Sequence, residues 1–307
     1  MEGLIVKSTG SWYRVRLMDG NIVNARIRGK LRTAGIQSTN PVAVGDRVEI
    51  SERLEGDYSI DNLFDRKNYI IRKATKLSSQ THIIAANIDL AIVLVTLIQP
   101  KLKLGFLDRM LVTTEAYSIP TIIVFNKIDV LNEEEQEYLN ELCAAYKNIG
   151  YDSIQISVTK NLNLEELKAA VEGKVSVISG HSGVGKSSLL NALNPALLAR
   201  VTDVSDFNEK GQHTTTFAEL FEINSKTFVI DTPGLKSFGL TSMDREELKD
   251  YFPEMHRLSS GCKFYNCLHI NEPGCAVKPA FENGKLPWFR YENYQHLFNE
   301  LKLAEGK

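Results

Sequence analysis

The segment Gly180-His181-Ser182-Gly183-Val184-Gly185-Lys186-Ser187, continued by Ser188, constrains this chain more than any other stretch. The apolar run Val175-Ser-Val-Ile-Ser179 precedes it and Ser188-Leu-Leu-Asn-Ala-Leu193 follows. This is a GxxxxGK[ST] loop set between a buried strand and a helix start, where backbone N–H groups and a helix N-terminus cradle phosphate. Gly180 and Gly185 let the backbone turn tightly against phosphate oxygens. Lys186 is a compact charge for the β- and γ-phosphates, and Ser187 is a ligand for Mg2+. The loop demands an α/β sheet with its ligand at the carboxyl ends of the strands.

Further motifs end other predicted strands. Asp231-Thr-Pro-Gly234 follows Thr227-Phe-Val-Ile, placing Asp231 for the Mg2+ shell and the Gly234 N–H for the γ-phosphate. Asn126-Lys127-Ile128-Asp129 follows Thr121-Ile-Ile-Val-Phe125. The Asp129 carboxylate suits guanine, which offers N1–H and a 2-amino group. Adenine offers neither, and the carboxylate would be left unpaired. Asn126 can hold the loop and reach N7, and the Lys127 stem can cover the base. A plain surface turn is the alternative for these four residues, weakened by the company they keep. Ser157-Val-Thr159 ends the next strand and can offer a backbone contact to the guanine oxygen. The long polar stretch 200–216 holds the remaining Mg2+ candidates, Thr214, Thr215 and Thr216; Thr215 is preferred, since strand propensity explains Thr216.

The order is then 126–129, 157–159, 180–188, 212–216, 231–234. In an ordinary small GTPase the last three come first, so this order predicts a circularly permuted GTPase. Glu172-Gly-Lys174 would join the old termini. Residues 87–245 alternate strand and helix as such a domain requires.

Two flanking regions differ in character. Residues 1–70 carry short strand-like runs punctuated by glycine, which predicts a small β-barrel. Residues 1–76 hold 14 Lys and Arg against 9 Asp and Glu, in a chain whose net charge is −2. Arg14/Arg16 and Arg26/Arg28 share faces by their i, i+2 spacing, and with Trp12 and Tyr13 nearby they fit a surface for phosphates and bases. A solvated outer face is the plainer alternative. Residues 71–86 read as a polar linker. In 246–307, Cys262-x4-Cys267-x-His269-x5-Cys275 supplies the ligand set of a closed tetrahedral Zn2+ site, structural because no position is left open for substrate. Free buried cysteines beside a stray histidine are the alternative. Trp288–Leu303 predicts a closing helix whose aromatic residues serve packing. The first residues lack a signal-peptide pattern, and no apolar run reaches spanning length, so a cytoplasmic protein is expected.

The barrel, the permuted order NKID, GHSGVGKSS, GQHTTT, DTPG and the C-x4-C-x-H-x5-C segment together resemble the RsgA family, the bacterial small-ribosomal-subunit biogenesis GTPases of the YjeQ/YloQ type. The resemblance covers nearly the whole chain. It implies a multidomain protein: an N-terminal OB-fold (1–70), a linker (71–86), a permuted α/β P-loop GTPase domain (87–245) and a small helical zinc-binding domain (246–307) with one structural Zn2+. It also implies docking on the 30S subunit and its 16S rRNA late in maturation, with GTP hydrolysis stimulated by the subunit; binding of GTP and GDP with Mg2+, release on hydrolysis and a monomeric state are expected with it. The residue after DTPG is Leu235, which cannot orient water, so intrinsic hydrolysis is expected to be slow. The resemblance assigns His213 a part in catalysis, beside Lys186 and Thr215; a binding or structural role for His213 stays open. Rival readings are an RNA-binding or chaperone module gated by nucleotide, and a GTPase acting on another RNA or in signalling. Chain order further suggests that the base-recognition half adjoins the barrel and that the DTPG segment leads into the zinc region.

Overall fold

The computed structural model describes residues 1–28, 41–53, 56–73, 81–195, 218–231 and 243–305. They form two compact units, Met1–Ile92 with Asn163–Ser237, and Val93–Leu162 with Phe238–Lys307.

In the first unit, strands β1 (Glu2–Ser8), β2 (Tyr13–Leu17), β3 (Ile22–Ile27), β4 (Arg47–Glu52) and β5 (Tyr58–Leu63) close a barrel. β1 pairs antiparallel with both β2 and β4, β2 with β3, and β4 with β5, whereas β3 and β5 are parallel. This closed five-stranded order is that of an OB-fold. Alternation along the strands sends Ile5, Tyr13, Val15, Ala25, Ile50 and Ile60 into its core. Tyr13 is 1% exposed, so it fills the barrel and is not a stacking surface. Trp12 keeps that role open, with the Arg26 guanidinium 3.7 Å above its ring. Arg16 is also committed within the chain: it grips Glu222 through two bonds of 2.8 and 3.0 Å. Arg14, Arg26 and Arg28 remain exposed on the outer face.

The linker reading gives way to structure at both ends of 71–86. β6 (Tyr69–Lys73) and β7 (Thr81–Ala86) pair antiparallel, with Ile70, Ala85 and Ala86 fully buried. The polar residues between the two strands masked the apolar alternation at their edges.

The same unit holds the phosphate half. β11 (Val175–Ser179) and β13 (Thr227–Asp231) are parallel, and β12 (Glu219–Asn224) pairs antiparallel with β13. Helices α3 (Leu164–Val171) and α4 (Lys186–Leu193) flank them in sequence. β1 of the barrel pairs with β12 at Lys7 and Glu219, whose side chains form a 2.9 Å ion pair. Barrel and phosphate half therefore share one sheet.

The second unit holds the base-recognition half. β8 (Leu90–Val95) begins in the first unit and ends here, buried at every residue. β9 (Thr121–Phe125) and β10 (Asp152–Gln155) are parallel. Helices α1 (Leu104–Ala116) and α2 (Glu133–Ile149) follow β8 and β9 in the chain, and α2 opens on a capping box between Asn132 and Glu135. The C-terminal helices α5 (Pro253–Ser259), α6 (Val277–Glu282) and α7 (Trp288–Glu305) complete the unit. Its core joins Val112 of α1 to Phe252, Met255, Phe281, Tyr291, Tyr294 and Phe298. By this division the base-recognition half belongs with the C-terminal helices and the barrel with the phosphate half, the reverse of what chain order suggests. No helix among the described residues is long and apolar enough to cross a membrane.

Candidate guanine-nucleotide site and metal centre

The phosphate loop leaves the end of β11 beside the end of β13, where Ile178 lies opposite Asp231. Gly185 caps α4 at φ 100, a conformation that an L side chain rarely adopts. Val184 is buried and anchors the loop, while Ser187 and Ser188 are exposed at the start of the helix. Lys186 Nζ donates to the carbonyls of Gly180 and His181, both at 2.8 Å, so its ammonium lies inside the curl of the loop. Burial raises the Asp231 carboxyl above its ordinary value; Lys186 opposes this and Glu219 reinforces it. A half-buried acid beside a lysine at the end of this strand suits a cation-linked phosphate site. His213, Thr214, Thr215, Thr216, Gly234 and Leu235 lie outside the described residues.

The base-recognition loop starts at Asn126, 5% exposed, whose N–H donates to Val95 O at 2.8 Å. Its side-chain oxygen accepts from Val158 N–H at 3.2 Å, tying the 126–129 loop to the 157–159 loop. Lys127 is left-handed at φ 67, and its Nζ donates to Gln99 O at 2.9 Å. Ile128–Val130 form a short 3-10 turn that presents Asp129 to solvent. A hydrogen bond from Ser157 is the largest influence on the Asp129 carboxyl, which is held below its ordinary value with help from Thr159 and Lys160. Ser157 is fully buried and also accepts from Lys160 N–H at 3.1 Å. Its hydroxyl also lies 3.1 Å from Thr159 Oγ1, which donates to Asp129 Oδ2 at 3.3 Å, so side chains of the 157–159 loop steady Asp129 where the sequence suggested only a backbone contact to guanine. A serine at a strand end opposite the aspartate loop was the available signal.

We propose that an ionised Asp129 is the group that selects guanine. Asp129→Asn is expected to weaken GDP binding about 100-fold and to favour xanthosine diphosphate, because the amide donates where the carboxylate accepts. Competition binding of the two nucleotides checks this; an unchanged order of preference would remove Asp129 from base recognition.

In the C-terminal region the ligand atoms of Cys262, Cys267, His269 and Cys275 all lie within 4.8 Å of one another. His269 Nδ1 is 3.7 Å from Cys262 Sγ and 3.5 Å from Cys275 Sγ. A tetrahedral Zn2+ at ordinary bond lengths would set S···N edges of roughly 3.6 Å. Burial, and after it the neighbouring thiols, push the Cys267 thiol up to about 12, while burial lowers His269 toward its neutral form. A cation bound by this set would stabilise its thiolates. The turn is moulded by Glu272, which accepts the N–H groups of Leu268, Ile270 and Asn271 at 3.0, 2.9 and 3.0 Å. Gly274, at φ 75, is required by space as well: a Cβ there would lie 2.9 Å from Lys263 Cβ. Sulfur–backbone bonds at Ala276 and Lys278 and the Tyr291 hydroxyl on His269 O orient the ligands further.

A phosphate loop, a guanine-type aspartate and this motif order define a circularly permuted P-loop GTPase carrying an appended Cys3His centre. The chain belongs to the RsgA GTPase family: the RsgA GTPase pattern matches residues 63–241 and the RsgA N-terminal domain pattern residues 2–58. The small ribosomal subunit biogenesis GTPase RsgA of Christiangramia forsetii is 47% identical over 310 residues, covering 100% of this chain and 96% of that protein. The crystal structure of YjeQ from Thermotoga maritima superposes with a TM-score of 0.80 at 34% identity, covering 98% of each chain. That of YloQ, a circularly permuted GTPase, gives 0.78 at 32% identity, covering 98% of this chain and 94% of that one.

Proposed function

We propose that this chain hydrolyses GTP as a late checkpoint in assembly of the 30S ribosomal subunit, binding the subunit and its 16S rRNA in the GTP state and leaving on hydrolysis. The observation that carries this is full-length similarity, at 45–48% identity, to proteins named as small ribosomal subunit biogenesis GTPases. Two loops support the nucleotide, Gly180–Ser188 for the phosphates and Asn126, Lys127, Ile128 and Asp129 for guanine, and Ser187, Thr215 and Asp231 are the candidates for Mg2+. Mg2+ would neutralise phosphate charge. His213 is the candidate for ordering the attacking water, with hydrolysis stimulated by the subunit. The Cys3His centre holds one structural Zn2+. The exposed Arg14, Arg26 and Arg28, with Trp12 beneath Arg26, offer a phosphate- and base-binding face on the barrel. We place the protein in the cytoplasm, as a monomer.

Lys186→Ala is expected to retain docking but to lose subunit-triggered release, with turnover down about 100-fold or more. Co-sedimentation with small and large subunits, with GTP or a non-hydrolysable analogue, checks this. Equal loss of docking and release would favour a nucleotide-gated RNA-binding module. Absence from both subunit fractions would sink the ribosomal reading.

A further inference from the structure

At the centre of the second unit lies a polar cluster that the nucleotide site does not use. Arg290 of α7 is fully buried, and Nη1 donates to Asp108 Oδ1 of α1 at 2.6 Å. Its Nε and Nη2 donate to the two oxygens of Glu254 of α5, at 2.7 and 3.2 Å. Asp108 accepts twice more, from Tyr146 Oη of α2 at 2.8 Å and from Asn293 Nδ2 of α7 at 2.6 Å. The Arg290 guanidinium also lies 4.4 Å from the Phe252 ring centroid. Two carboxylates face one guanidinium, and burial raises the Asp108 carboxyl despite its partners.

An apolar cluster of similar volume would hold these helices together as well or better, since desolvation offsets much of a buried ion pair's attraction. Apolar faces tolerate sliding, however, whereas a guanidinium fork and a multiply bonded carboxylate accept one register. Two of the helices joined here, α1 and α2, adjoin the guanine loop and its Lys127 contact in the chain. α1 follows the 96–103 segment, in which Gln99 O receives Lys127 Nζ and Thr96 Oγ1 donates to Pro100 O at 2.7 Å. α2 follows the turn that presents Asp129.

We propose that Arg290 and Asp108 are positioning residues for guanine discrimination: by locking α1 and α2 to α7 they set the reach of Asp129 and Lys127. The proposal rests on reading 126–129 as the guanine loop. The test is equilibrium binding of fluorescent GDP and inosine diphosphate to the full chain. Inosine lacks the 2-amino group, so the affinity ratio reports how well Asp129 is placed. Wild type should favour GDP about tenfold or more. Arg290→Lys should narrow that ratio at least about threefold, and the milder Tyr146→Phe and Asn293→Ala about twofold, in chains that still melt cooperatively. A purely structural role would weaken both nucleotides in parallel and leave the ratio unchanged, which overturns the proposal. Should Arg290→Lys fail to fold, the two milder variants decide by the same criterion. A wild-type ratio near one would overturn the guanine reading itself and this proposal with it. A wild-type preference that the variants retain overturns the proposal alone.

Discussion

Stripping the metal from the Cys262–Cys275 turn is expected to unfold that turn and much of the C-terminal packing around it. Structural Zn2+ sites of this kind contribute on the order of 10 kcal/mol to the fold they close. Without a cation, three thiols and an imidazole share a space in which no two ligand atoms are more than 4.8 Å apart. The damage should spread through Tyr291 and Tyr294, whose hydroxyls bond the carbonyls of His269 and Leu268 while their rings sit in the unit's core. Metal content and thermal melting, with and without a strong chelator, check this. One Zn2+ per chain and a melting transition lowered by more than about 10 °C are expected. Cys267→Ser should reproduce the loss, whereas Cys143→Ser, on α2 and outside the cluster, should not. A chain that binds no zinc, or melts identically without it, would contradict a structural centre.

Replacing Arg290 by methionine is expected to cost about 3–5 kcal/mol, since it leaves two buried carboxylates without their cation. The loss should depend on pH in a stated direction. Burial already raises Asp108, and removing the guanidinium removes the largest opposing influence. A carboxyl with a raised folded pKa favours the fold most when protonated, below its unfolded value, and that support is lost as pH rises through the folded value. The variant should therefore be nearer to wild type at pH 5 than at pH 8. Neutralising the partners in Arg290→Met/Asp108→Asn/Glu254→Gln should recover most of the stability. Denaturant unfolding at the two pH values checks both statements. Equal destabilisation across that range, with no recovery in the triple variant, would show that lost packing and not stranded charge is responsible.

The geometry of the candidate site was legible because each motif needs particular residue types at fixed spacing: Gly185 for a left-handed cap, Asn126 to Asp129 for a turn at a strand end, Cys262 to Cys275 for a close cluster of ligand atoms. The barrel was legible through its glycine punctuation. What escaped was whatever depends on which side chains meet across the chain. Asp108, Glu254 and Arg290 are ordinary charged residues in sequence, although Arg290 shares a helix face with Tyr294, Leu297 and Leu301, which hinted at burial. Tyr13 and Arg14 are neighbours with opposite fates because a strand alternates its faces, and Arg16 is withdrawn from the basic surface by Glu222, some two hundred positions away. The grouping of halves into units was hidden for the same reason: β1 meets β12, and α7 meets α1, only in the folded chain.

The β1–β12 pairing bears on how the barrel's role can be dissected. Deleting residues 1–60 would be the direct way to ask whether the barrel contacts RNA. That deletion would also strip the neighbour from β12, leaving its Glu219 and Glu222 without Lys7 and Arg16 and opening a raw strand margin on the nucleotide-binding part. Such margins invite self-association. A shortened protein that fails to bind subunits would then be reporting its own clumping. Charge reversals at Arg14, Arg26 and Arg28, which leave the sheet whole, are the sounder dissection.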